Sequence, residues 1–83
     1  MRFNNEEDAW MVFARWLTKK RKDRSYTQDF VVRQLGITRQ TLSKWETGLS
    51  RPSYEMLQKI FRFYDCSQKE VAELFKTIGN GKM

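Results

Sequence analysis

Eighty-three residues, 40% hydrophobic and 14% aromatic, suffice for one small core over residues 1–83 and exclude general disorder. The chain has no histidine and one cysteine, Cys66, which removes most zinc sites, most acid–base catalysis and any intrachain disulfide. The net charge of +6 is uneven: between Arg15 and Arg51 ten Lys/Arg stand against Asp23, Asp29 and Glu46, giving +7 and leaving −1 elsewhere, so one half of the chain attracts polyanions.

The N-terminal MRFNNEED lacks the apolar run of a signal peptide, and the longest apolar run, Ala9 to Ala14, is too short to span a membrane. A soluble, cytoplasmic protein is expected, without membrane contact. Residues 1–4 and 80–83 are expected to be loose. Asn5 can cap a first helix, with Glu6, Glu7 and Asp8 where the macrodipole favours anions, running to about Lys22. Ala9, Trp10, Val12, Phe13, Ala14, Trp16 and Leu17 spread over about 200° of its wheel, wider than a one-sided stripe. Either this helix is gripped on two sides, or part of the surplus meets another molecule. Lys19, Lys20, Arg21, Lys22 and Arg24 suit its C-terminal end, and Lys22 and Arg24 also suit phosphate.

Thr27 caps a second helix through Leu35, with Gly36 at the left-handed position behind it. Val31, Val32 and Leu35 face inward, whereas Phe30 points about 140° away from them on an ideal wheel. Thr38 caps a third helix ending near Thr47, with Gly48 behind it. Thr41, Leu42, Trp45, Glu46 and Leu49 fall on its inner side. Arg39, Gln40, Ser43, Lys44 and Thr47 fall on the outer side, a surface suited to reading a polar partner. Ser53 caps a fourth helix through Tyr64 whose inner face carries Met56, Leu57, Ile60, Phe61, Phe63 and Tyr64. Ser67 and Glu70 read as a capping box for a fifth, with Val71, Leu74, Phe75 and Ile78 as its buried stripe and Gly79 as its end.

The stretch Thr27–Gly48 resembles the helix-turn-helix of the Cro/phage-repressor (Xre-like) DNA-binding proteins. The resemblance extends over about residues 13–75: Arg21 seven residues before Gln28, Trp45-Glu46 before Gly48, Pro52-Ser53, then Leu57, Ile60, Tyr64 and Ser67. Val32, Phe30, Lys20 and Thr47 depart from the pattern. The resemblance implies an all-α, compact five-helix, lambda-repressor-like domain. It implies base reading by Arg39, Gln40, Ser43 and Lys44, and phosphate contact by Gln28, with Thr38, Thr47, Arg51, Lys22 and Arg24 beside it. It also implies a structural Arg21–Glu46 pair between the first helix and the third. Which reader meets a base and which a phosphate stays open.

The expected function is non-enzymatic and without a cofactor or metal: a transcriptional regulator, of the repressor kind, binding double-stranded DNA at a palindromic operator as a homodimer. A prokaryotic, phage or mobile-element origin is expected. The alternative is a protein-interaction module, such as the antitoxin of a toxin–antitoxin pair, engaging a protein partner through Trp10, Trp16 and Phe30. Between these stands a choice about Phe30. Within one chain Trp10 or Trp16 closes over it, the reading adopted here; otherwise it belongs to an exposed apolar patch.

Overall fold

The structure, a computed structural model, describes residues 5–80, with side-chain surroundings for residues 10–77. Five helices follow one another: α1 (Asn5–Asp23), α2 (Gln28–Leu35), α3 (Arg39–Glu46), α4 (Tyr54–Phe63) and α5 (Gln68–Asn80). Among the described residues there is no strand, as the all-α expectation requires. Of the residues expected to be loose, 1–4 and 80–83, Asn80 is the last residue of α5, and the others, with the side chains of Asn5, Glu6, Glu7, Asp8, Ala9 and Ile78, lie outside the described residues.

Helix starts follow the predicted caps. The hydroxyls of Thr27, Thr38, Ser53 and Ser67 accept the N–H groups of Phe30, Thr41, Met56 and Glu70 at 3.0–3.2 Å. The capping box at α5 is only half made, because the Glu70 carboxylate pairs with Lys20 on α1 instead of returning to Ser67. A cation on a neighbouring helix is the stronger partner there.

Helix ends share one device. After α1, α2, α3 and α4, an N–H reaches back five residues: Tyr26 to Arg21, Ile37 to Val32, Leu49 to Lys44 and Cys66 to Phe61. This bond needs a left-handed residue just before the donor. Gly36 (φ 72°) and Gly48 (φ 81°) take that conformation readily, while Ser25 (φ 57°) and Asp65 (φ 53°) adopt it with a side chain present. Because the chain leaves α3 through Gly48, the helical wheel does not extend to Leu49. That residue is 77% exposed, not inward-facing as expected. Helix α5 likewise continues past Gly79 to Asn80.

The core is built from Phe13 and Leu17 of α1, Val31, Val32 and Leu35 of α2, Leu42 and Trp45 of α3, Leu57 and Ile60 of α4 with Tyr64 behind it, and Leu74 of α5. Burial pushes the Tyr64 phenol up to about 12 and raises the half-buried Cys66 thiol as well. Phe75, expected in the core, is exposed and meets only the rim of it, edge-on to Phe61 at 5.9 Å.

The wide apolar face of α1 is explained by two neighbours, α3 on one side and α5 on the other. Trp10 and Trp16 flank Phe13 at 5.3 and 5.8 Å, and Trp16 continues onto Phe61. Phe30 is half-buried by its own chain, but its cover is Tyr26 at 4.7 Å and Phe63 at 6.4 Å, not Trp10 or Trp16. The reason is position: Tyr26 lies in the turn leading directly into α2, whereas Trp16 stands over Phe61 and Trp10 lies under Arg51.

One ion pair joins α1 to α3. Arg21 Nε donates to Glu46 Oε2 at 2.8 Å and Nη2 to Oε1 at 3.0 Å, a bidentate fork with side chains only 13% and 5% exposed. A third donor, Nη1, reaches the Tyr26 carbonyl at 3.1 Å, and the bond donated to Glu46 raises the Arg21 pKa above its ordinary value. The Thr18 hydroxyl donates to the Ala14 carbonyl of its own helix at 2.9 Å and lies 3.4 Å from the Glu46 carbonyl, a second and weaker acceptor.

Two stability outcomes are expected. Glu46→Ala should cost roughly 3–5 kcal/mol in urea unfolding, since it leaves a buried guanidinium unpaired; a loss below about half a kcal/mol would place the pair with exposed ones. Gly36→Ala and Gly48→Ala should each cost about 1–2 kcal/mol for the left-handed backbone. Gly48→Ala should cost more, because its Cβ would run into the Met11 sulfur, while a Cβ at Gly36 meets Lys59 Nζ only at 3.7 Å. Equal losses would show that Met11 swings aside freely.

Candidate nucleic-acid interface

The three-residue link Gly36-Ile37-Thr38 turns the chain so that α2 and α3 pack on each other and share one exposed surface. Their relative position is fixed from both ends. Lys59 of α4 donates to the Leu35 carbonyl at 2.8 Å and satisfies the end of α2. At the other end Gln28, the first residue of α2, donates from Nε2 to Glu46 Oε1 at 3.1 Å and accepts from the Ser43 hydroxyl at 3.4 Å. Glu46 therefore ties three helices together: α1 through Arg21, α2 through Gln28, and its own α3.

On that frame the outer side of α3 stands clear. Arg39, Gln40, Lys44 and Thr47 are exposed and Ser43 is half-buried, so the five side chains assigned to the outer face from the wheel do share it. Their chemistry differs. Gln40 and Lys44 are exposed, and among the described residues their side chains have no hydrogen-bond or ion-pair partner. Ser43 is turned toward Gln28. Arg39 forms a second bidentate fork, with Nε and Nη2 donating to the two Asp29 oxygens at 3.0 Å each. A shallow cleft between the starts of α2 and α3 is lined by Arg21, Thr27, Gln28, Asp29 and Arg39.

The residues expected at phosphate divide into two groups. Lys22 and Arg51 are exposed cations, and Arg51 also lies over the Trp10 ring at 5.1 Å. The other four already hold the fold. Arg24 donates to the Tyr64 carbonyl at 3.0 Å and stacks on the Tyr64 ring, closing the end of α4. The Thr47 hydroxyl donates to the Ser43 carbonyl at 2.9 Å. Thr38 Oγ1 accepts the Thr41 N–H and donates to the Thr41 hydroxyl. Gln28 has one amide hydrogen committed to Glu46, which leaves its second for an outside acceptor. Such residues lie at helix ends, where backbone groups compete for the same side chains.

Sequence reading passed over Asp29, Lys59 and Thr18, each of which touches this frame. Ten residues separate Asp29 from Arg39, and no spacing rule joins them across a turn. Two signals were present: a carboxylate in the first turn of α2, and an arginine at the first position of α3, where a cation opposes the macrodipole.

The surface has no apolar character: its exposed groups are two cations, one carboxylate and amide or hydroxyl groups, suited to hydrogen bonding rather than to burial. Among the described residues no group of His, Cys, Asp and Glu could hold a metal ion, and no helix is long and apolar enough to cross a membrane.

Comparison with known proteins points the same way. A family profile described as Helix-turn-helix matches residues 17–68, which takes in the end of α1 from Leu17, the whole of α2, α3 and α4, and the first residue of α5. The HTH-type transcriptional activator BcrR of Enterococcus faecalis is 33% identical over 61 residues, which is 74% of this chain and 30% of BcrR. The chain thus spans under a third of the length of that relative. No solved structure matches it. With the family profile over more than half of its length and the α2–α3 unit in place, the chain belongs to the Cro/C1-type, Xre-like helix-turn-helix family.

Proposed function

We propose that this protein is a sequence-specific, DNA-binding transcriptional regulator that lays α3 in the major groove of a palindromic operator and acts as a homodimer. The observation that carries this reading is the outer face of α3: Arg39, Gln40, Ser43 and Lys44 share one exposed side of a helix whose other side is locked into the core. A groove about 12 Å wide admits such a helix, and Arg and Gln have the donors and acceptors to pair with guanine and adenine edges. Lys22 and Arg51 lie in the basic half of the chain and suit the flanking backbone. So does the second amide hydrogen of Gln28, beside the first-turn N–H groups of α2. One helix reaches too few bases for high specificity alone, and a second copy on a second half-site about 34–36 Å away supplies the rest.

Occupying a promoter represses, and that is the direction proposed first. The activator among the relatives supports a second outcome, activation from an operator beside the promoter. A reporter carrying the selected operator in each position separates the two. The interaction-module reading has less to stand on, because Trp10, Trp16 and Phe30 are half-buried in contacts within the chain.

Selection from random duplex DNA should return a two-fold symmetric sequence, and sedimentation should show two chains per duplex. If about six phosphates are neutralised, log K should fall with log salt at a slope of about −5. Gln40→Ala should cost on the order of 1–3 kcal/mol on the selected site and relax one base per half-site. Equal losses on selected and random DNA would make Gln40 a phosphate contact, and no selected sequence at all would overturn the proposal.

A further inference from the structure

The Asp29–Arg39 fork has no evident purpose in the fold. Both side chains are about 60% exposed, at 63% for Arg39 and 59% for Asp29, and an ion pair in water adds little to stability. Arg39 also occupies the first position of α3, where a cation faces the positive end of the helix dipole. A chain that gains from positive charge on this surface nevertheless keeps a carboxylate in the middle of it. That carboxylate holds the one guanidinium on the outer face of α3.

We propose that Asp29 is a positioning residue that sets sequence specificity, by holding the Arg39 guanidinium so that its outer edge meets guanine. The proposal rests on the DNA-binding reading above and deepens it by naming which residue reads which base, and how it is aimed. Guanidinium has five N–H donors in a plane. Asp29 engages Nε and one hydrogen of Nη2. Both hydrogens of Nη1 and the second of Nη2 remain, and one from each nitrogen forms a parallel pair along the adjacent, terminal edge. Guanine offers O6 and N7 in the major groove at the spacing such a pair fits. An arginine without this brace has many rotamers and serves a phosphate as well as a base. The braced one has its plane fixed from α2, a helix that is itself bonded to Glu46 through Gln28. Asp29 also adds a penalty: in a wrong register its charge lies against phosphate or a base-edge oxygen, which weakens unspecific contact.

The test measures binding of the wild type, Asp29→Ala, Asp29→Glu and Arg39→Ala at one salt concentration. The probes are the selected duplex, its three substitutions at the base lost on Arg39→Ala, and a random duplex. The wild type should prefer guanine there. Asp29→Ala should reduce that preference roughly tenfold and raise affinity for the random duplex. Asp29→Glu, keeping the carboxylate, should recover part of the preference. Thermal melting should be nearly unchanged in all variants, so lost preference reflects aim and not unfolding. Should Asp29→Ala bind every duplex more tightly with its guanine preference intact, Asp29 merely sequesters Arg39 and the proposal fails while the DNA-binding reading stands. A wild type with no preferred duplex at all removes both.

Discussion

Everything on the exposed surface depends on the carboxylate of Glu46. It sits at the last position of α3, almost fully buried, and receives Arg21 from α1 and Gln28 from α2. A buried pair of this kind adds little net stability over a well-packed apolar pair of the same shape, since desolvating both ions offsets most of their attraction. What it adds is direction. Apolar packing by Leu42 and Trp45 holds α3 against the core but tolerates small rotations. A bidentate fork with a third bond to the Tyr26 carbonyl permits one rotation. A helix that must place side chains within hydrogen-bond distance of a groove needs that, and the cost of a missing partner enforces it.

Much of this was legible in the sequence because it follows from local rules. Thr27, Thr38, Ser53 and Ser67 cap helices because a hydroxyl beside an orphan N–H has few better partners, and Gly36 and Gly48 end helices because the turn demands positive φ. The Arg21–Glu46 pair came from family resemblance alone. Helix ends at Ser25 and Asp65 were not legible as left-handed turns, since neither residue announces one as glycine does. Where the helix rules failed, something outside the helix had won. Glu70 turned to Lys20 on another helix, Phe30 was covered by Tyr26 from the preceding turn, and Leu49 was released by the glycine before it.

The candidate site shows the same division. The wheel assigns Arg39, Gln40, Ser43, Lys44 and Thr47 to one face, and they share it, because a helix face is a one-dimensional property. Which of them are at liberty is a three-dimensional one. Thr38, Thr47 and Arg24 are spent on helix ends, and Ser43 is drawn toward Gln28. Polar side chains near a terminus meet an unsatisfied backbone group before they meet any partner, and a small domain with short helices has many termini for its length. Gln40, second in α3, and Lys44, in its last turn, are outer residues whose side chains meet no such backbone group among the described residues.

Charge placement follows from the same economy of space. The basic half of the chain coincides with α2, α3 and the end of α1, yet several of its cations are paired with carboxylates: Lys19 with Asp23, Lys20 with Glu70, Arg21 with Glu46 and Arg39 with Asp29. Non-specific attraction to a polyanion needs only net charge, and pairing cations with carboxylates reduces it. Recognition needs something different, a large gap between the right sequence and the rest. A surface of unpaired lysines would maximise the first at the expense of the second. On the reading proposed above, the braced Arg39, with Gln40 and Lys44 beside it, reduces general affinity and reserves the strongest contact for one geometry. On that reading Asp29 belongs to the recognition surface as much as the arginine it holds, whereas Glu46 serves that surface from within the core.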